Sequence, residues 1–153
     1  MKKIMPQSLC KNYIHLVFST KRRQDLIPTD SLRGFFHYIG GVVNGIGCQT
    51  VVVGGIENHV HILFELSRTM ALSVAVNKIK SNSSKWIRSE KEVFDFDWQD
   101  GYAAFSVAQS NVEAVRKYID NQREHHQKED YQTEFRRYCQ IYKINYDERY
   151  VWD

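Results

Sequence analysis

The sequence predicts an α+β protein in which helices pack against an antiparallel sheet of four or five strands. One observation is that segments with strand-like alternation are interspersed with segments whose apolar residues recur every three or four positions. Another is their order, which is strand, helix, strand, strand, helix, one or two strands, helix. The 153 residues, 42% of them hydrophobic and 25% charged, suffice for one domain with its own core. We therefore expect a single domain over residues 1–153.

The predicted strands are rich in alternating apolar, β-branched and aromatic residues. They cover residues 12–20, 50–53, 58–66, 94–98 and 102–107. Gly54 and Gly55 end the second strand and predict an antiparallel hairpin with the third. A turn signal at Gln99-Asp100-Gly101 separates the last two segments.

The predicted helices have apolar residues at helical spacing. They run from about residue 28 to 45, from Ser67 or Thr69 to about 89, from Ser110 or Asn111 to about 127, and over residues 131–142. Pro28 and Thr29 are typical of a helix start, and Gly45 and Gly47 of a helix end. The second helix carries a core stripe on one side and basic residues on the other, which are Lys78, Lys80, Lys85 and Arg88.

Several classes of protein are excluded by composition. No apolar run approaches the ~20 residues that cross a bilayer, so we expect no membrane association. Cys10, Cys48 and Cys139 are odd in number and far apart, which disfavours a disulfide scaffold or a zinc ribbon. We expect three reduced thiols, packed as small apolar residues, in a cytoplasmic protein.

Charge is distributed unevenly along the chain. Residues 1–91 hold 13 lysines and arginines against 5 acidic residues, whereas residues 92–153 hold 8 against 13. A basic first part suits a polyanion such as nucleic acid, and it is equally typical of a solvated basic surface. A phosphate-binding glycine loop is absent from the sequence, so we expect no nucleotide cofactor.

Two histidines on one predicted strand are candidate metal ligands. His59 and His61 are two residues apart, so their side chains leave the same face of the strand. Val60, Ile62 and Phe64 then point to the opposite face, into a core. Paired imidazoles are natural ligands for a divalent metal, although half-buried structural histidines follow the same pattern.

Tyr118 and Gln122 are four residues apart on the third predicted helix and share a face at the border of its apolar stripe. A phenol can act as a nucleophile, and an amide oxygen can complete a metal shell. A tyrosine beside a helix core is also an ordinary packing residue. His15, on the first strand, is a candidate for lining a cleft, and His125, seven residues after Tyr118, is either a proton carrier or part of a polar helix end.

These pieces together resemble the HUH superfamily, and more closely the single-tyrosine transposases of small bacterial insertion sequences and the REP-associated tyrosine transposases. The resemblance covers about residues 11–150. It rests on YIHLVF at residues 13–18, ENHVHIL at 57–63, WQDGY at 98–102, Tyr118 with Gln122, and the His125-His126 pair. Asn58 stands where the family pattern commonly has aspartate before the first histidine.

The resemblance implies an HUH, ferredoxin-like arrangement and a catalytic tyrosine, Tyr118. It also implies that His59, His61 and Gln122 hold Mg²⁺ or Mn²⁺. The metal would polarise the scissile phosphate of single-stranded DNA, and Tyr118 would form a 5′-phosphotyrosine link. The expected partners are DNA hairpins and a second copy of the chain in a homodimer.

Other functions remain open from the sequence alone. A non-catalytic nucleic-acid-binding domain of the same fold would explain the basic first part, but it would not need the four site residues together. A domesticated relative or a replication-type nickase of the same superfamily is a further alternative. A zinc hydrolase is disfavoured because glutamine is a poor zinc ligand.

Overall fold

The computed structural model describes residues 6–153 and contains a four-stranded antiparallel sheet with five helices packed against it. The strands are β1 (Tyr13–Ser19), β2 (Gln49–Ile56), β3 (His59–Glu65) and β4 (Ala103–Val107), in the order β2-β3-β1-β4. The helices are α1 (Leu32–Gly45), α2 (Leu72–Glu90), α3 (Val112–Asp120), α4 (Gln122–His125) and α5 (Tyr131–Ile141). The predicted α+β class is confirmed.

The alternation of side chains along β1 and β3 divides the structure into two packed faces. Leu16, Val60 and Ile62 point to one face, where they are fully buried in the larger core with α1 and α2. Val17 and Leu63 point to the other face and pack beneath α3 and α5. Both faces of the central strands are therefore covered, and residues two apart on β3 lie under the C-terminal helices.

The second strand is longer than the sequence predicted, because Gly54 and Gly55 continue it instead of ending it. A Cβ on Gly54 would lie 2.8 Å from Ile119 Cγ2 and closer still to the Ile119 carbonyl oxygen. The absence of a side chain at Gly54 thus lets α3 pack close to the sheet. Gly55 has a φ of 148°, which L side chains rarely adopt, and it pairs with Val60 close to the turn of the hairpin.

The predicted strand at residues 94–98 is wrong. Phe96 and Trp98 are buried in the larger core, where both contact the Phe35 ring, and the segment pairs with the sheet only through a bridge between Thr20 and Trp98. Aromatic residues here fill the core from an irregular segment. The sheet accordingly has four strands.

The third predicted helix is broken in two at Asn121, which has a φ of −99° and a ψ of 23°. The Asn121 backbone N–H is shared between the carbonyls of Lys117 and Tyr118, and α4 begins at the next residue. The side chains of Tyr118 and Gln122 still lie on one side, because the Tyr118 hydroxyl and Gln122 Nε2 both contact Glu134 Oε2.

The cysteine prediction is correct for two of the three residues. All three thiols are free; Cys48 and Cys139 are buried, whereas Cys10 is exposed. Within residues 6–153, none of the helices combines the length and apolar character needed to cross a bilayer.

Candidate metal centre and nucleophile

His59 and His61 lie side by side on β3, and both are fully buried under the C-terminal helices. Each ring presents its Nδ1 to a neighbour that fixes its orientation. His59 Nδ1 is 2.7 Å from Asn58 Oδ1, and His61 Nδ1 is 2.8 Å from His15 Nε2. The two Nε2 atoms consequently face the same interior space, which is the arrangement of metal-binding histidines.

His15 is therefore not a cleft residue exposed to solvent. It is 1% exposed and orients His61 from the neighbouring strand β1. Asn58 orients the His59 ring through its amide oxygen, as an aspartate at this position would through a carboxylate oxygen. Its Nδ2 is 3.4 Å from the Arg23 carbonyl oxygen, which sets the amide orientation.

Gln122, at the start of α4, is 1% exposed and brings its Oε1 to 3.1 Å from His59 Nε2. Burial lowers the pKa of His59 well below its ordinary value, so the ring is neutral and carries one N–H. If Nδ1 donates that hydrogen to Asn58, His59 Nε2 and Gln122 Oε1 face each other as two acceptors. A cation between them would satisfy both lone pairs.

Tyr118 is the partly exposed member of the group, and its ring centroid lies 6.0 Å from that of His61. Its hydroxyl donates to Glu134 Oε2 and accepts from Arg137 Nη2 at 3.1 Å. Burial and the Glu134 charge raise the pKa of Tyr118 far above its ordinary value, so the phenol is protonated. Tyr118 and the histidine pair thus meet within one chain.

Glu134, on α5, is a central residue of the site that the sequence prediction did not include. It is 1% exposed, and its Oε1 accepts from His61 Nε2 at 2.9 Å. Burial opposes its charge, but the neighbouring His61 ring holds the pKa of the carboxyl far below its usual range. The sequence did contain a signal for Glu134. It is an acidic residue at helical spacing with Tyr131 and next to Phe135, on the face of α5 that is buried.

His126 completes the group from the segment after α4. Its side chain is 4% exposed, and its Nε2 lies 3.2 Å from Glu134 Oε2. The angles there are unfavourable for a hydrogen bond, and among residues 6–153 this nitrogen has no hydrogen-bond partner. His59, His61, His126 and Glu134 place one donor atom each within 4.8 Å of one another. This buried cluster can hold a metal ion, and His126 Nε2 has a lone pair available to bind it.

His125 belongs to the rim of this group. Its Nε2 is 2.6 Å from Glu129 Oε1, and its ring contacts Tyr118 with a centroid separation of 4.8 Å. Arg137 also donates to Glu129, at 2.8 Å. The rim is therefore a charged network that surrounds the Tyr118 hydroxyl.

The surface around Tyr118 has two depressions, of about 560 and 440 Å³. Tyr118 borders both, and Tyr138 and Tyr142 line the second. On α2, Lys78 and Lys85 are exposed. Lys80 instead donates to the carbonyls of Gln99, Asp100 and Gly101, at 2.7 to 3.1 Å, so its charge holds that loop in place.

The fold agrees with that of known proteins. The family model described as "Transposase IS200 like" matches residues 8–122 of the 153-residue chain. The chain belongs to the IS200-like transposase family, and this membership implies a DNA-processing enzyme. No curated protein matches it.

Two solved structures share the fold. One is a candidate transposase from Deinococcus radiodurans R1, with a TM-score of 0.61 and 20% identity, covering 80% of this chain and 98% of that one. The other is a REP-associated tyrosine transposase bound to a REP hairpin, with a TM-score of 0.56 and 16% identity, covering 82% of this chain and 74% of that one.

Proposed function

We propose that the protein is a metal-dependent transposase that cleaves and rejoins single-stranded DNA through a covalent bond to Tyr118. The observation that carries the proposal is the meeting of a tyrosine hydroxyl with a buried histidine pair. The Tyr118 hydroxyl and His61 Nε2 bond to the two oxygens of one carboxylate, that of Glu134. Membership of a transposase family supports the same reaction class.

His59, His61 and Gln122 are the residues that we propose to hold Mg²⁺ or Mn²⁺. When bound, such an ion polarises the scissile phosphate and offsets the charge that develops on it. The protein's own contribution is to fix the donor atoms: Asn58 and His15 orient the two rings, and Gln122 Oε1 lies 3.1 Å from His59 Nε2. Such supporting contacts are commonly worth a factor of about 10 to 100 in metal affinity.

Tyr118 is the proposed nucleophile. Its oxygen forms a bond to phosphorus while the bond from phosphorus to the 3′ oxygen breaks. The phenolic proton is balanced by the proton on the released 3′-hydroxyl. The product is again a phosphodiester, now between the DNA and Tyr118. A new 3′-hydroxyl can therefore attack it and rejoin the strand without a nucleotide cofactor. Glu134 orients the hydroxyl by accepting its hydrogen, and Arg137 places a positive charge beside the oxygen.

Single-stranded DNA with hairpins is the proposed substrate, acted on in the cytoplasm. One structurally similar protein is bound to a REP hairpin, which supports this substrate class. The depressions beside Tyr118 offer room for a flexible strand, and Tyr138 and Tyr142 offer rings for unpaired bases. Exposed Lys128, which lines the first of these depressions, suits the phosphate backbone, which predicts binding that weakens as salt rises.

A homodimer is a separate part of the proposal, because Tyr118 and the histidine pair already meet within one chain. Light scattering on the purified protein, with and without a hairpin, tests it. A monomer in both conditions would remove the dimer from the proposal and leave the chemistry unchanged.

The chemistry is tested by incubating the protein with Mn²⁺ or Mg²⁺ and labelled single strands from the flanks of its gene. We expect a metal-dependent DNA–protein adduct on a denaturing gel, which is absent from Tyr118→Phe and retained by the matched control Tyr142→Phe. An adduct that persists in Tyr118→Phe would show that the nucleophile is wrong. Tight hairpin binding with no adduct under any condition would favour the non-catalytic binding domain.

A further inference from the structure

We propose that His126 and Glu134 join His59, His61 and Gln122 as metal ligands, and that this nitrogen-rich centre binds Mn²⁺ or Zn²⁺ more tightly than Mg²⁺. The inference rests on the proposed function in placing the metal at the histidine pair. It adds two ligands that follow residue 122, where the match to the family model ends.

The distances between donor atoms suit one shared ion. Metal bonds to imidazole nitrogen and carboxylate oxygen are about 2.1 Å, so neighbouring ligand atoms around one ion lie about 3.0 to 3.4 Å apart. His61 Nε2 lies 2.9 Å from Glu134 Oε1, and His126 Nε2 lies 3.2 Å from the other carboxylate oxygen, Oε2, so Glu134 would contact the ion through both oxygens. His59 Nε2 lies 3.6 Å from Glu134 Oε1, within the same range after a small adjustment.

His126 Nε2 lies 3.2 Å from Glu134 Oε2 but makes no hydrogen bond there. Burying a polar nitrogen without a hydrogen bond costs about 1–3 kcal/mol, so natural proteins seldom leave one unpaired. His126 Nε2 lacks such a partner among the residues that the structure describes, and its ring centroid is 4.5 Å from that of His59. A metal ion in the cluster would use this lone pair.

The kind of donor decides which ion is preferred. Three imidazoles and one carboxylate suit first-row transition ions, whereas Mg²⁺ prefers oxygen ligands and keeps several waters. The cluster offers little space for those waters, because His59 and His61 are fully buried and Glu134 is 1% exposed. A nitrogen-rich, enclosed site therefore disfavours Mg²⁺ on both counts.

Isothermal titration of the metal-free full-length protein with Mg²⁺, Mn²⁺ and Zn²⁺ tests the proposal. The variants are His126→Gln, Glu134→Gln and His61→Gln, with His37→Gln as the control for an exposed histidine elsewhere. Pulsed electron paramagnetic resonance on bound Mn²⁺ gives a second readout, because it counts coordinated imidazole nitrogens. Thermal melts of the metal-free variants identify any that fail to fold.

We expect Mn²⁺ and Zn²⁺ to bind at least about ten-fold more tightly than Mg²⁺, since imidazole donors discriminate in that direction. His126→Gln should weaken both by about ten-fold or more and remove one nitrogen from the resonance signal, while His37→Gln changes neither. If Glu134→Gln does not fold, His126→Gln and the nitrogen count of the unmodified protein decide the question.

Two results would overturn the inference. One is wild-type Mn²⁺ affinity in His126→Gln with an unchanged nitrogen count, and the other is Mg²⁺ binding as tight as Mn²⁺. In either case, loss of metal binding in His61→Gln would still support the metal site proposed above, formed by His59, His61 and Gln122. Wild-type binding in His61→Gln as well would place the metal elsewhere and would count against the proposed function itself.

Discussion

Replacing Gly54 by alanine tests how the helix that carries Tyr118 is held against the sheet. The new methyl group would lie 2.8 Å from Ile119 Cγ2 and closer still to the Ile119 backbone carbonyl oxygen, whereas ordinary contacts begin at 3.4 Å. Because the carbonyl belongs to the helix backbone, α3 must retreat by more than about 0.6 Å. Overpacking of this kind costs about 1–3 kcal/mol. Alanine also restricts the unfolded chain, which returns about 0.4–1 kcal/mol. We expect a net loss of about 1–2 kcal/mol in the free energy of unfolding.

The same retreat would displace Tyr118, which precedes Ile119 on α3. A misplacement of about 1 Å near a reacting group can cost about 10²-fold in rate, so we expect a ten-fold to hundred-fold loss of adduct formation. Gly41→Ala is the matched control, because its methyl group meets nothing within 4 Å and replaces glycine inside α1. It should stabilise by about 0.5–1 kcal/mol. Urea unfolding and the adduct assay measure both effects, and a Gly54→Ala protein as stable and active as the wild type would refute this reasoning.

Two further predictions concern stability. The Trp98 indole donates a hydrogen bond to Ser83 Oγ at 3.0 Å in the core. Ser83→Ala should therefore lower the free energy of unfolding in urea by about 1–3 kcal/mol, whereas the exposed control Ser81→Ala should change it by less than about 0.5 kcal/mol. Equal effects of the two variants would contradict the role of that hydrogen bond. Burial lowers the pKa of His15 and His59 well below the ordinary 6.5, so as pH falls below 6.5 the unfolded chain gains protons that the folded chain does not. The free energy of unfolding of the metal-free protein should therefore fall between pH 7 and 5, by up to about 1.4 kcal/mol per unit for each of these histidines, and a flat profile would show that they are not held neutral.

The structure was predicted most accurately from the sequence where the local residue pattern and the tertiary environment agree. Successive side chains of a strand point to opposite faces, and this placed Val60 and Ile62 in the core and His59 and His61 on the opposite face. The pattern failed at residues 94–98, where Trp98 is buried without extended strand pairing. Aromatic residues have the same local signature in either setting.

The candidate site was predictable in part for a similar reason. His59 and His61 are close in sequence, so strand geometry alone joins them. Glu134 reaches them only through the packing of α5, and no sequence spacing encodes that contact. The break at Asn121 was not predicted either, because helical spacing of the apolar residues does not show where a helix is interrupted.

The central claim is that Tyr118 becomes covalently attached to DNA, and peptide mapping tests it most directly. The metal-dependent adduct would be digested with nuclease and protease, and the modified peptide sequenced by mass spectrometry. The account predicts a 5′-phosphonucleotide on Tyr118. A modification on another residue, such as Tyr138 six ångströms away by ring centroid, would contradict it.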